Sequence, residues 1–261
     1  MKKTLCAIAI VGLLFTMSAL AENTRTKGVP TLVKSTGPVK GKYVAHPAEV
    51  PPSVCGPVCL TYTGDTNPAS ADDNGFANEN TLLVPETTVW GAFVVPEGQT
   101  WTVDGAFINT IADGYNGIDP SASSWTIASG VSEGNAGSVV ASGTSTSANT
   151  QFIATGRFPF GFNEYSLKVK TVPTTGSTVL PSGTYYLNIT PQCTDSGNGS
   201  CDISQYFWDD TFGLNNYGII PPADVSYFNS SYLGFDYANL CEVSSTGCQV
   251  LSFGIIGTSA W

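Results

Sequence analysis

One histidine, His46, and ten lysine or arginine residues are all the basic side chains that this 261-residue chain holds, against 20 carboxylates. A lone histidine leaves Ser-His-Asp and Cys-His schemes without a ready base at neutral pH. The shortage of cations, with a net charge of −10, excludes nucleic acid as a partner, because phosphate backbones are held by Lys and Arg. Also missing is any stretch of about twelve residues with an apolar 3.6-residue period free of Gly and Pro, which removes long amphipathic helices. Past the first twenty or so residues no uncharged apolar run reaches the ~20 needed to cross a bilayer as a helix. No membrane span is expected in the mature chain.

What is present begins with a targeting pattern. Lys2 and Lys3 precede an apolar run over residues 5–15, and Ser18, Ala19, Leu20 and Ala21 give the small-x-small site that a signal peptidase cuts after. Residues 1–21 are therefore expected to be a signal peptide of bacterial style, cleaved after Ala21, and the product to be secreted or periplasmic. Residues 22–54 carry Arg25, Lys27, Lys34, Lys40 and Lys42, with Glu22 as the one acid over residues 22–42, and Pro30, Pro38, Pro47, Pro51 and Pro52 interrupt any ladder. They read as an extended leader ahead of one acidic domain over residues 55–261.

Cys6 leaves with the signal, so six cysteines remain, an even number in an exported chain. They fall in close pairs, Cys55 with Cys59, Cys193 with Cys201 and Cys241 with Cys248, and three local disulfides are expected although six cysteines formally allow 15 connectivities. Cys55 and Cys59 with His46 lack the further ligand that a closed zinc site needs. No cofactor is expected. A weak calcium candidate is the Gly-rich loop that holds Asp113, Asn116 and Asp119, whose oxygens alternate without the EF-hand spacing; an Asx-Gly turn has the same composition.

The body is written in the two-residue period of strands. Trp101, Val103, Phe107 and Ile111 occupy odd positions with Thr102, Asp104 and Thr110 between them, so the odd face is expected in the core. Pro96 and Gly98 suit a short turn, which predicts a hairpin between residues 88–95 and 101–111. Trp125 and Ile127 share a face. Tyr165, Leu167 and Val169 alternate with Ser166, Lys168 and Lys170, and Tyr185, Leu187 and Ile189 alternate with Tyr186, Asn188 and Thr190. Further short strands are expected at 58–62, 138–142, 151–155, 205–208, 232–237 and 249–257. Many short strands with frequent turn signals predict an all-β, antiparallel β-sandwich of jelly-roll-like form with an extended N-terminal leader.

Two patterns touch on chemistry. Gly130-Val-Ser132-Glu-Gly134 matches the nucleophile elbow G-x-S-x-G, but no helix follows and the histidine lies upstream, so an ordinary turn is expected. The window 206–237 concentrates ten aromatic residues among Asp and Asn side chains and has no Lys or Arg. Flat rings beside carboxylate and amide groups suit a sugar face and its hydroxyls, while the same rings can simply fill one end of a sandwich. The binding residues expected from it are Trp208, Asp209, Asp210, Tyr217, Tyr227 and Tyr232. Asp209 and Asp210 also serve the alternative of a glycan-active hydrolase, which needs two carboxylates flanking a glycosidic bond.

The segments F-V-V-P-E-G-Q-T-W-T-V-D-G (93–105), S-W-T-I-A-S-G (124–130), S-V-V-A-S-G-T (138–144) and L-P-S-G-T-Y-Y-L-N-I-T (180–190) resemble a loose group of bacterial exported β-sandwich proteins. In that group an F-x-V-P-x-G-x-x-W-x-I strand pair and a late G-T-Y-x-L strand recur. The likeness spans residues 89–256 and implies the sandwich fold; the shared residues are strand and turn chemistry, and no catalytic residue comes with them. Many members end in a hydrophobic anchor followed by basic residues, whereas this chain ends G-I-I-G-T-S-A-W, so a product without a sorting tail is expected. Together these readings imply a non-enzymatic exported protein whose partner is an extracellular glycan or protein.

Overall fold

A computed structural model describes residues 46–47, 53–66, 75–79, 86–113, 122–146, 148–192, 205–211, 213–222, 224–244, 248 and 250–261. The expected signal peptide and nearly all of the leader lie outside them. In chain order the strands are β1 (His46–Pro47), β2 (Cys59–Tyr62), β3 (Gly75–Ala77), β4 (Thr87–Asp113), β5 (Ala122–Ser129), β6 (Ser138–Thr146), β7 (Thr150–Ala154), β8 (Glu164–Lys170), β9 (Thr175–Gly176), β10 (Val179–Gln192), β11 (Gln205–Thr211), β12 (Leu214–Asn216), β13 (Tyr227–Ser230), β14 (Phe235–Asn239), β15 (Val250–Leu251) and β16 (Phe253–Ala260). Two short helical turns, Pro159–Gly161 and Leu240–Val243, complete the described elements. Apart from the parallel contact of β1 with β12, every ladder is antiparallel, and the fold is the all-β sandwich that the sequence period predicts. No helix of the described residues is long and apolar enough to cross a membrane.

The strand on which the rest is hung is β4, and it corrects the expected hairpin. Residues 88–95 and 101–111 do not fold back on each other; they belong to one strand of 27 residues. β10 runs antiparallel across both halves, with Gly183 opposite Val95 and Pro181 opposite Thr100, so residues 96–99 bulge outward across from Ser182. Gly98 does take a positive φ of 78°, and Pro96 precedes it. Turn residues are equally at home in a bulge. The partner strand, not the local chemistry, decides that the chain goes on instead of reversing.

A second irregularity on β4 changes which parity faces inward. Val89, Phe93, Val95, Trp101 and Val103 enter the main core at odd positions, but Ala106 and Ile108 enter it at even ones. On β16, Gly257 faces Val103 and Ile256 faces Gly105, which leaves Asp104 as the extra residue of a β-bulge. One inserted residue turns every later side chain to the other face. Phe107 and Ile111 are thus buried as expected but on the reverse side, Phe107 with Tyr62 and the Cys55–Cys59 disulfide, Ile111 with Ala77 and Phe207. β4 passes in this way from the β13 and β10 pairing at its start to the β16, β8 and β11 pairing at its end.

The other alternations place their side chains as read. Trp125 and Ile127 of β5, Leu167 and Val169 of β8, Tyr185, Leu187 and Ile189 of β10, and Leu251, Phe253 and Ile255 near the end of the chain all point into the main core. Residues 232–237 are a correction: Tyr232 and Gly234 form the turn between β13 and β14. Two of the three expected disulfides are present, Cys55–Cys59 and Cys241–Cys248, each clipping a local loop, and Cys193 and Cys201 lie outside the described residues. The G-x-S-x-G stretch is a turn between β5 and β6, in which Ser132 and Asn135 exchange backbone hydrogen bonds.

Behind Phe107 lies a polar clamp. The Tyr62 hydroxyl donates to Asp65 Oδ1 (2.5 Å), which also accepts from Arg157 Nη1 (2.7 Å), while Arg157 binds Glu164 through Nε and through Nη2 (2.8 Å). Asn109 Nδ2 donates to the Tyr62 hydroxyl (3.0 Å) and to Ser252 Oγ (2.7 Å) and so ties β4 into the same network. Burial, with the Asp65 carboxylate beside it, pushes the Tyr62 phenol well above its ordinary range; burial also raises Tyr185, Tyr186, Tyr227 and Tyr237. A phenol raised in the fold contributes stability that is intact below its unfolded pKa of about 10 and drains away as pH climbs past it, by about 1.4 kcal/mol per pH unit for each proton held. Urea unfolding followed from pH 9 upward should therefore weaken steeply above pH ~10, and Tyr62→Phe should remove about one proton from that slope. An unchanged slope in the variant would mean that the buried phenol ionises freely.

Candidate binding face

The six side chains expected to bind a ligand are dispersed. Trp208 lies in β11 between β4 and β3, fully buried; its indole N–H donates to the Ser252 carbonyl (2.9 Å) and its ring meets Phe253 edge-on at 5.7 Å. Asp209 and Asp210 follow it in the same strand and are equally buried. These three are corrected from surface to interior, because a strand with a partner on each side, in the middle of a sandwich, offers neither face to solvent. Tyr217 is half-buried against the Cys55–Cys59 cluster and exchanges backbone hydrogen bonds with Tyr62. Tyr232 is exposed on its turn. Only Tyr227 borders a concave surface that other strands complete.

That surface is the outer side of the β14-β13-β4-β10-β5 order. It is a depression of about 300 Å³ lined by Glu86, Thr88, Trp90, Ser124, Thr126, Asn188, Thr190, Asn229 and Tyr237. The pairing registers arrange most of these into two rows that run across the strands. In one, Asn229 faces Thr88 and Thr190 faces Ser124; in the other, Tyr227 faces Trp90 and Asn188 faces Thr126. Below the second row the face turns apolar, with Ala92, Ala128, Val131 and Tyr186 packed together beneath Val225 and Tyr227.

The floor is fixed by its own hydrogen bonds. Asn188 Nδ2 donates to the Val89 carbonyl (2.8 Å) and to Asn78 Oδ1 (3.2 Å), and Asn188 Oδ1 accepts from Thr190 Oγ1 (2.8 Å). Trp90 Nε1 donates to Thr88 Oγ1 (3.2 Å), and the Trp90 ring lies behind that of Tyr237 at 6.1 Å. Ser124, Thr126 and Asn229 are half-buried, while Asn188 and Thr190 are buried. Three non-glycine residues of the described chain have positive φ, and two of them, Glu86 (54°) and Tyr237 (44°), line this depression. For a bulky residue such as Tyr that conformation costs about 1–3 kcal/mol and persists only where the surroundings enforce it. The third, Asn215, is of a type that tolerates it.

No family model, curated protein or solved structure matches this chain. What the face can do is therefore argued from its geometry. It offers a half-buried ring, hydroxyls and amides, and a single lining carboxylate, Glu86, which accepts from Ser231 Oγ (3.0 Å). Acid-base hydrolysis of a glycosidic bond needs two carboxyl groups. A second depression of about 380 Å³ has Lys168, Lys170, Asn149 and Asp104 in its walls but no ring, and Lys168, lowered by burial, already donates to the Val54 carbonyl (3.1 Å). Among the described residues no three His, Cys, Asp or Glu side chains gather where a metal ion could sit; Asp113 ends β4, while Asn116 and Asp119 lie outside those residues.

Trp90, Thr88, Ser124, Thr126 and Thr190 were not anticipated as a site. The signal available was parity: they occupy even positions of strands whose odd positions fill the core, and a tryptophan on the polar side of such a strand is out of place.

Proposed function

We propose that this is an exported, non-enzymatic β-sandwich protein that binds a surface glycan or protein through the face centred on Trp90 and Tyr237, in the manner of an adhesin or matrix component. The observation that carries the reading is the coincidence of an aromatic pair, hydroxyl and amide side chains and two strained residues in one concavity. Rings with adjacent hydrogen-bonding groups are the usual recognition surface for sugars and for polar protein partners. Export is supported by two disulfides, which persist in oxidising compartments, and by the signal-peptide pattern of residues 1–21. The hydrolase alternative is not carried forward, since Asp209 and Asp210 are interior.

The test is retention on insoluble polysaccharides with a parallel assay for new reducing ends. Retention without new ends is expected for the native protein. Tyr237→Gly should lose retention by tenfold or more while staying folded, because glycine accepts a φ of 44° without strain and the loss cannot be assigned to a disturbed backbone. Full retention by that variant would remove the face from the reading, and new reducing ends would replace binding by hydrolysis.

A further inference from the structure

The two rows restrict what can lie on this face. Measured along the strands, the chemistry changes at every second residue: Thr88 and Thr190 give way to Trp90 and Asn188, and these to the covered apolar patch of Ala92 and Tyr186. A polymer laid along a strand would leave the polar rows within two residues and meet the Val131 and Tyr186 side chains. Measured across the strands, hydrogen-bonding groups recur on β13, β4, β10 and β5 at the inter-strand interval, roughly 5 Å, over a total of roughly 14 Å. An extended, equatorially linked hexose chain presents its hydroxyls once per pyranose ring, a regular repeat that successive strands can match.

Charge narrows the class further. No Lys or Arg lines the depression, Glu86 stands in its wall, and carboxylates lie along its aromatic rim, Asp224 and Glu133 near Tyr227 and Asp236 next to Tyr237. An anionic polymer would approach a surface of its own sign. We propose that this face takes an uncharged, extended glycan laid across the strands, with one hexose unit over each of β13, β4, β10 and β5 and the Tyr237 ring against a central unit. The proposal rests on the glycan form of the function given above.

Titration calorimetry with cello-oligosaccharides and N-acetylchito-oligosaccharides, from the disaccharide to the hexasaccharide, tests it. At least one of the two series is expected to bind, with Kd falling several-fold for each added unit up to the tetrasaccharide and then levelling. Asn229→Ala and Thr126→Ala, at opposite ends of the rows, should weaken the tetrasaccharide and leave the disaccharide within twofold, whereas Tyr237→Gly should weaken every length. Affinity that stops rising at the disaccharide, or end variants that act equally at all lengths, overturns the crosswise path. Binding of polygalacturonate or hyaluronan in place of both neutral series, weakened by Tyr237→Gly and by salt, overturns the uncharged class and leaves the proposed function standing. If neither neutral nor anionic glycans titrate, both the inference and its glycan basis fall.

Discussion

Replacing Arg157 by Met should lower the free energy of unfolding by about 3–5 kcal/mol, the range for removing one partner of a buried ion pair. Glu164, with a fully buried side chain, receives two of the guanidinium's hydrogen bonds, and Thr66 and Thr155 supply hydroxyls at 3.1 Å. Those hydroxyls cannot neutralise a carboxylate; the cation does. Burial by itself would lower the Arg157 guanidinium, but the hydrogen bonds and charge of Glu164 outweigh it and hold the group protonated. Met keeps the length of the stem and removes the charge, so the loss reports the stranded carboxylate more than lost packing. Adding Glu164→Gln to Arg157→Met should then recover a large part of the loss, since two neutral groups are cheaper to bury than one unpaired charge. Urea midpoints of the single and double variants decide it. A single-variant loss below ~1 kcal/mol would place the pair with exposed salt bridges that contribute little.

Trp208→Ala is the second large effect, an expected loss of about 3–5 kcal/mol from the cavity that a deleted buried tryptophan leaves. The same change removes one of two donors to the buried Ser252 carbonyl, which keeps the Asn109 backbone N–H at 2.9 Å, so the lost hydrogen bond adds about 0.5–1.5 kcal/mol. Trp208→Phe should recover most of the packing and none of the hydrogen bond. Ligand retention per folded molecule should stay unchanged in the Phe variant, opposite to the outcome for Tyr237→Gly. Lost retention in a Trp208→Phe protein with native circular dichroism would return this residue to the binding surface and overturn its structural assignment.

The contrast between these two aromatic residues shows what the sequence discloses. Period-two alternation is a local quantity, and it placed Trp125, Ile127, Leu187 and Ile189 inward. It has no memory across an inserted residue, so the switch of face at Asp104 on β4 could not be read, nor could the decision at Pro96 and Gly98 between bulge and reversal, which belongs to β10. Composition located an aromatic, acidic window at 206–237 but says nothing of inside and outside. There the fold divides the rings, with Trp208 and Phe228 in the core and Tyr227 and Tyr237 on an outer face. The depression draws on residues from Glu86 to Tyr237 and exists only once β5, β10, β4 and β13 stand side by side. That order is not the chain order.

The pairing of β2 with β16 carries a kinetic consequence. The Thr63 hydroxyl and the Phe253 carbonyl it meets are 190 residues apart, and β16 fills the side of β4 that β10 and β8 leave open. Few native contacts of the central strand can form early from neighbours in the chain, so collapse should be slow, on the millisecond-to-second scale of non-local β topologies, and nearly all-or-none. Until the final strand docks, the methyls and rings along that flank stay wet and adhesive. The molecule is thus most prone to self-association during its last folding step.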